Sequence, residues 1–469
     1  MALADRLADY VLSVRYSDLD PGTIKEMKVR MIDAVGCALG AFDEEPVAIA
    51  RRTVKGLRGG GGSTLVGTAS TSSPELATFL NGLMIRYFDF NDTYLSKEPA
   101  HPSDNLAPVF AVAEAEGLGG KEAITAAVAA YEVQCRLCDA ADIRHRGWDH
   151  VNYGLPSSAL AASKLMGLDA KRGAHAVNIA LNGHVAMRQV RAGELSMWKG
   201  ASFANAARNG VFAAMLARNG MTGPSPIFEG EMGFFKQVSG PFKMDTNAFG
   251  GKRGEFMVNR TYVKYWPVEY HAQTAVWAAL DVKKRIRSGD IRSILVETHE
   301  AGYTILAKDE EKWAPQTKES ADHSLPYIVA MALLHGKVDN DSYSPRNLKE
   351  RRNLRMVKLV EVREDPGLTA LYPDKGMANR TTIVTANGAR VTSQVDVPLG
   401  HPTNPMSREA IESKFMGLAG RTLGERRAKE ALRAMWEIDA RKDLGDVFTL
   451  LKVRRGDQGF KEKEGRGSQ

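Results

Sequence analysis

At 469 residues, with 43% apolar and 25% charged side chains, the chain has the composition of a globular protein and exceeds the length one core usually supports, so two domains are the expectation. Asp5 and Asp9 interrupt what would be the apolar region of a signal peptide, and no apolar run is long enough to cross a bilayer, which points to a cytoplasmic protein. The net charge of +7 sits largely in RNLKERRNLR (346–355) and in the tail beyond residue 450, neither carrying the interleaved aromatics that stack bases, so nucleic-acid binding is disfavoured.

From residue 4 to about 275 the apolar positions recur at helical spacing. Gly59 to Gly62 lack the following Lys-Ser/Thr of a phosphate loop and read as a flexible turn. In SSPELATFLNGLMIRYFDF (72–90), Ser73 stands at the N-cap and Pro74 in the first turn, while Leu76, Phe79, Leu80, Leu83, Met84 and Tyr87 share one face. A core-facing helix therefore ends near Asp89. DFNDTYLSKEPAHPSDN (89–105) then concentrates three Asp, a Glu, a Thr, a Lys and a His before the next apolar helix, for which Ser103 or Asp104 is the natural cap. Further helices are expected in NLAPVFAVAEAEG (105–117), KEAITAAVAAYEVQCRLCDAAD (121–142), SSALAASKLMG (157–167), KRGAHAVNIALNGHV (171–185) and KGASFANAARNGVFAAMLARNG (199–220), the last with the small residues of closely packed backbones. Cys135 and Cys138 lie inside a continuous helical pattern with no loop to wrap an iron–sulfur cluster, and with Cys37 they read as buried structural thiols.

After about residue 275 the period changes. IRSILVETHE (291–300) and MVKLVEVRED (356–365) alternate like strands, SLPYIVAMALLHG (324–336) is a helix, and RTTIVTANGARVTSQVDVP (380–398) is a hairpin whose Asn387-Gly388 suits a type I′ turn. The expected class is mainly α with a smaller α+β domain: helical residues 1–275, an α+β unit at 276–402, a helical segment at 403–450 returning to the first domain, and a basic flexible tail at 451–469.

Several side chains could carry chemistry. Asp89 stands at the negative end of a helix dipole, mildly against the field, and a solvated loop Asp would read the same way. His101, beside a helix start, is held neutral by the positive end of the dipole and can act as a base; a His packed in a turn is the plainer alternative. In DIRHRGWDHVNYG (142–154), His145 and His150 lack a metal-ligand spacing, which leaves acid/base work or ordinary hydrogen bonding. Lys199 lies at a helix start, where a substrate carboxylate would use its ammonium; VKYWPVEYHAQ (263–273) adds Lys264 and His271, and ADHSLPYIVA (321–330) adds His323 and Tyr327. No dinucleotide fingerprint, nucleophile elbow, zinc-protease motif or phosphate loop is present, so cofactor-free acid/base chemistry on an anionic metabolite remains.

Read together and in order, DFNDTYLSKEPAHPSDN, HRGWDHVNYG, the segment from Lys199 to Phe235, YWPVEYHAQ and ADHSLPYIVA closely resemble the MmgE/PrpD family, over roughly residues 4 to 445. That family includes 2-methylcitrate dehydratases, cis-aconitate decarboxylases and an iminodisuccinate epimerase, which act on small di- or tricarboxylates without metal or iron–sulfur cofactor. The resemblance implies a large all-helical domain completed by a returning C-terminal segment, an α+β lid domain, a homodimer, and an active site between the domains. By motif position it places the site on Asp89, Thr93, His101, His150, Lys199, Lys264 and Tyr327. The spacing from Thr93 to His101 is longer than in the decarboxylase pattern, and HPSDN, GWDH and ADHSLPY look more like the 2-methylcitrate dehydratase branch.

Dehydration of a hydroxy-tricarboxylate needs a base beside a carboxylate, stabilisation of the charge that develops, and an acid for the departing hydroxyl. His101 and His150 are the candidate base and acid in either order, Asp89 polarises one imidazole, Lys199, Lys264 and His271 bind carboxylate, and Tyr327 donates as the lid closes. Decarboxylation or epimerisation of a related acid, and a non-catalytic carboxylate binder of the same fold, are the competing readings.

Overall fold

The computed structural model describes residues 1–57, 61–193, 195–286, 291–373 and 375–454; Gly59 and Gly60 of the expected glycine turn, and the tail beyond Arg454, lie outside the described residues. Apolar stripes at helical spacing first produce α1 (Leu3–Ser13), α2 (Pro21–Gly40) and α3 (Glu45–Gly56), then a short antiparallel ribbon of β1 (Ser63–Thr64) with β2 (Thr71–Ser72). There follow α4 (Pro74–Arg86), α5 (Leu106–Ala115), α6 (Gly120–Ala140), α7 (Gly154–Leu165), α8 (Ala170–His184) and α9 (Trp198–Arg218). Their buried side chains merge into one core, in which α9 lies against α4, α7 and α8. The small residues of α9 make this possible: a Cβ on Gly210 would stand 2.9 Å from the Ala159 backbone nitrogen, so the helices meet almost backbone to backbone.

α4 shows how a helix can carry charge inward. Leu76, Phe79 and Tyr87 are half-buried against the core, but from Leu80 to Arg86 the helix is buried all round, and Arg86 is only 3% exposed. Ser73 occupies the N-cap position, yet its hydroxyl donates to Glu75 (2.6 Å) and caps no backbone N–H. The expected cap of α5 is also corrected. A 3-10 turn, Pro102–Asn105, precedes α5, and neither Ser103 nor Asp104 caps it, because both side chains are engaged by Asn91.

A second core begins at Val268, Ala272 and Ala275, inside the stretch that the sequence assigns to the helical part, because α10 (Gln273–Lys283) lays its apolar side on a sheet. The chain continues through β3 (Ile291–Thr298), α11 (Glu300–Leu306), α12 (Lys318–Ala321), α13 (Leu325–His335), α14 (Pro345–Lys349), α15 (Arg351–Val357), β4 (Val360–Glu364), α16 (Pro366–Thr369), β5 (Asn379–Thr385) and β6 (Arg390–Val395). The sheet order is β4-β3-β5-β6, with β3 parallel to β4 (Ile294 beside Val360) and antiparallel to β5 (Ile294 beside Ile383). Met356 and Val357, expected in a strand, instead end α15. The β5–β6 hairpin is not type I′: of Asn387 and Gly388 only the glycine has positive φ (+83°). Gly388 N–H donates to Thr385 C=O (2.9 Å) and Thr385 N–H to Ala389 C=O (3.0 Å), a three-residue loop closed by a left-handed glycine.

α17 (Arg408–Leu423), α18 (Glu425–Trp436) and α19 (Gly445–Leu450) return to the first core, where Ile411, Phe415 and Ala419 are buried and α17 runs along α2. The fold is mainly α with a smaller α+β part. Among the described residues no helix is long and apolar enough to cross a membrane.

Candidate active site

The site begins where α4 ends. Asp89 N–H donates to Arg86 C=O (3.0 Å), and Asp89 adopts φ +51°, the one non-glycine residue with positive φ among the described residues. Such a conformation is uncommon for a side chain-bearing residue, though less so for Asp than for most, and persists where the surroundings hold it. The loop that follows is fixed by its own polar groups. Asp92 accepts from Ser103 N–H (2.8 Å) and the Tyr131 hydroxyl (2.8 Å), and Thr93 exchanges backbone hydrogen bonds with Tyr262 (2.8 and 2.7 Å). Glu98 accepts from the N–H groups of Ile143 and Arg144 (2.8 and 2.9 Å), joining this loop to the one that carries His150.

Asp89 is the hub. Its Oδ1 accepts from Arg86 Nη1 (2.8 Å) and Lys264 Nζ (2.7 Å), while Oδ2 lies 3.4 Å from Lys199 Nζ and 3.5 Å from His323 Nε2. Burial alone would raise its pKa; Arg86, Lys264 and Lys199 outweigh burial and hold the carboxyl well below the usual carboxylate range. Asp322, at the end of α12, accepts from Lys318 Nζ (2.8 Å) and stands 4.0 Å from Lys199. Arg86, Lys199, Lys264 and Lys318 thus gather around Asp89 and Asp322, with Asp104 Oδ2 3.8 Å from Arg86 Nε, a concentration of cations suited to an anionic guest.

Three imidazoles surround this charge. His101 directs Nδ1 at the Asp92 carbonyl (2.7 Å), an acceptor only, so Nδ1 carries the proton and Nε2, 3.9 Å from Asp89 Oδ1, is bare. Thr93 supports the same Nδ1 at 3.2 Å. His150, with its ring centroid 5.8 Å from that of His101, has a buried Nδ1 with no partner and an Nε2 3.7 Å from Asp149 Oδ1. Asp149 is itself held by Arg191 (2.8 Å) and Ser202 (3.2 Å). His323 directs Nδ1 to Asp322 (2.6 Å), leaving Nε2 3.2 Å from Lys199 Nζ. All three pKa values are lowered: His101 by burial and Arg86, His150 to about 3 by burial and Arg191, His323 by burial and Lys199. These are neutral imidazoles at neutral pH. Burial likewise lowers the Lys199 pKa, against the pull of Asp322 and Asp89, so its proton is more readily given up than that of a surface lysine.

The structure brings Asp89, His101, His150, Lys199 and Lys264 together, with Thr93 behind His101. Two residues stand apart. The Tyr327 hydroxyl donates to the Ser342 carbonyl (2.7 Å) deep in the second core, because α13 turns that face away from the cluster. His271 pairs with Glu269 (2.8 Å) and faces the Tyr372 hydroxyl (3.3 Å), one layer out from Asp89. The sequence reading passed over Arg86, Asp149, Arg191 and Asp322. Only Asp322 left a readable signal, as the neighbour of His323 just before the Ser324-capped start of α13.

The charged cluster lies at the junction of the two cores, joining residues that flank the first to Asp322 and His323 beside the second. A cleft of about 1070 Å³ lies beside it, walled by Glu44, Tyr87 and Phe88 from the first unit and by Lys318, Asp341 and Tyr343 from the second. Lys318, which lines the cleft, donates to Asp322 of the cluster. Cys37, Cys135 and Cys138 are free and buried, their thiols pushed up by burial. Among the described residues no group of three or more His, Cys, Asp or Glu is disposed to hold a metal ion.

The chain matches both family models and individual known proteins. Residues 5–247 match the MmgE/PrpD N-terminal domain and residues 266–438 the MmgE/PrpD C-terminal domain. The chain is similar to the 2-methylcitrate dehydratase of Escherichia coli (strain K12), 30% identical over 395 residues that span 79% of this chain and 80% of the relative. It is 30% identical over 398 residues to the 2-methylcitrate dehydratase of Cupriavidus necator, covering 79% and 80% of the two chains. With the mitochondrial 2-methylcitrate dehydratase of Yarrowia lipolytica it shares 28% identity over 429 residues, 84% of this chain and 79% of that one. Two domain matches in the expected order, on a helical core and an α+β core that share one charged junction, show that the chain belongs to the MmgE/PrpD family.

Proposed function

We propose that this enzyme, a hydro-lyase of the MmgE/PrpD family, dehydrates a small hydroxy-tricarboxylate without a metal ion, with 2-methylcitrate going to 2-methyl-cis-aconitate. The observation that carries the reading is the grouping of three neutral imidazoles, His101 and His323 beside Asp89 and His150 next to His101, among the cationic side chains of Arg86, Lys199 and Lys264. His101 Nε2, or the unpartnered His150 Nδ1, takes the proton from the carbon next to a substrate carboxylate. Negative charge then builds on that carboxylate, where Lys199, Lys264 and Arg86 stabilise it better than water would. The carbon–carbon double bond forms as the carbon–oxygen bond breaks. The hydroxyl leaves as water with a proton from Lys199, whose nitrogen touches His323 Nε2.

Within this reading the enzyme serves propionate breakdown in the cytoplasm as a homodimer. The Thr93–His101 spacing favours dehydration over decarboxylation. The test is proton NMR of the metal-stripped protein in deuterated buffer with 2-methylcitrate, citrate, cis-aconitate or an aspartate-derived dicarboxylate. Alkene formation from 2-methylcitrate supports the proposal. Solvent exchange or carbon dioxide loss from another acid, with 2-methylcitrate untouched, would move the chemistry to epimerisation or decarboxylation.

A further inference from the structure

Lys414 belongs to α17, in the segment that returns from the second unit, and its side chain is only 6% exposed. Its ammonium lies 2.6 Å from Asp33 Oδ1 on α2, donates to the Phe90 carbonyl (2.8 Å) and to the Lys264 carbonyl (2.7 Å), and stands 3.7 Å over the Phe90 ring. Those two carbonyls flank the heart of the site. Phe90 follows Asp89, and Lys264 donates to both the carboxylate and the carbonyl of Asp89 (2.7 Å each). Among the described residues no other donor reaches either the Phe90 or the Lys264 carbonyl.

A left-handed aspartate persists only where its surroundings over-determine it. An apolar side chain of similar volume could fill the space and stabilise the core equally well, but it could not donate to two carbonyls at once. Asp33 balances the charge that this donation needs. It is buried too, and its pKa is raised by burial against the pull of Lys414, Arg30 and Lys264.

We propose that Lys414, balanced by Asp33, is a positioning residue for the reaction: by holding the main chain at Phe90 and at Lys264 together, it keeps Asp89 and Lys264 in register for catalysis. The returning helix therefore serves the active site as well as the core. The proposal rests on the dehydratase reading for its kinetic consequence and on the coordinates alone for its geometric one.

The test compares wild type with Lys414→Met and with the double variant Asp33→Asn/Lys414→Met, in which no buried charge is stranded. Steady-state dehydration of 2-methylcitrate should show kcat lowered by about 10- to 100-fold in both variants, with KM within about threefold of wild type. The acid limb of the kcat profile should move to higher pH, since an Asp89 less well held by Lys264 is easier to protonate. Circular dichroism and melting of the double variant report whether it is folded. A folded double variant with wild-type kcat, or one whose activity falls only with its folded fraction at an unchanged pH profile, overturns the proposal. Should wild type turn over no 2-methylcitrate, the dehydratase reading fails by itself, and crystal structures of wild type and double variant then decide. Loss of the Asp89–Lys264 contact or of the left-handed Asp89 in the variant supports positioning by Lys414; retention of both overturns it.

Discussion

Asp89 combines an unfavourable backbone with a favourable charge environment. A left-handed conformation costs an ordinary residue about 1–2 kcal/mol, less for Asp or Asn, whose short polar side chains can bond locally. Asp89→Asn should therefore keep the turn but lose the negative hub, leaving Arg86 and Lys264 buried without their counter-ion, so that turnover and stability both fall, and Asp89→Ala should lower stability by about 1 kcal/mol more; urea unfolding beside steady-state assay reads both effects. His101→Ala and His150→Ala should each reduce kcat by about 100- to 10,000-fold with unchanged circular dichroism, and near-wild-type turnover in either removes that residue from the chemistry. Asp104 is perturbed upward: burial, against the pull of Arg86, pushes its carboxyl up to about 7. The folded chain thus keeps a proton that the unfolded chain releases near pH 4, so stability from this group is full below about pH 4 and is lost as pH rises through about 7, at up to about 1.4 kcal/mol per pH unit. Asp104→Asn should flatten that loss, seen as a smaller drop in unfolding free energy between pH 5 and pH 8 than wild type shows. The sequence pointed to Asp89 and His101 by helix-dipole arguments. The structure shows burial and neighbouring cations to be the larger causes, and these arise from contacts distant in the chain.

At the scale of the element, small residues and loop chemistry place the site. α9 presents Lys199 inward only because Gly210 lets it lie against α7, so Gly210→Val should destabilise the protein by about 1–3 kcal/mol and reduce activity through a displaced Lys199, as denaturation and assay together would show. The composition of α9 made this closeness legible. Neither expected cap of α5 forms, since Ser103 and Asp104 answer to Asn91 across a loop whose closure local spacing could not reveal. Tyr327 illustrates the same limit: helical periodicity put it on a face, but the packing of α13 decided that this face is core, with the hydroxyl on Ser342.

At the scale of the molecule, the clustered ionisable groups meet because two cores share a junction. Lys318 spans it, donating to Asp322 in the second unit while its ammonium lies over the Tyr87 and Phe88 rings of the first (5.2 and 5.6 Å). Lys318→Met should loosen this joint and lower kcat/KM about tenfold while the melting transition stays cooperative; an unchanged kcat/KM would assign Lys318 to the surface of the cleft alone. Periodicity and composition by themselves determined the helical mass, the change to an α+β unit and the returning helices, because these depend on apolar spacing within short stretches, while the candidate site residues rested on the order of the motifs. Only the tertiary structure decided which charges meet. Arg86, Asp322 and His323 joined Asp89 and Tyr327 left it, because burial and electrostatic pairing are settled by residues tens to hundreds of positions apart.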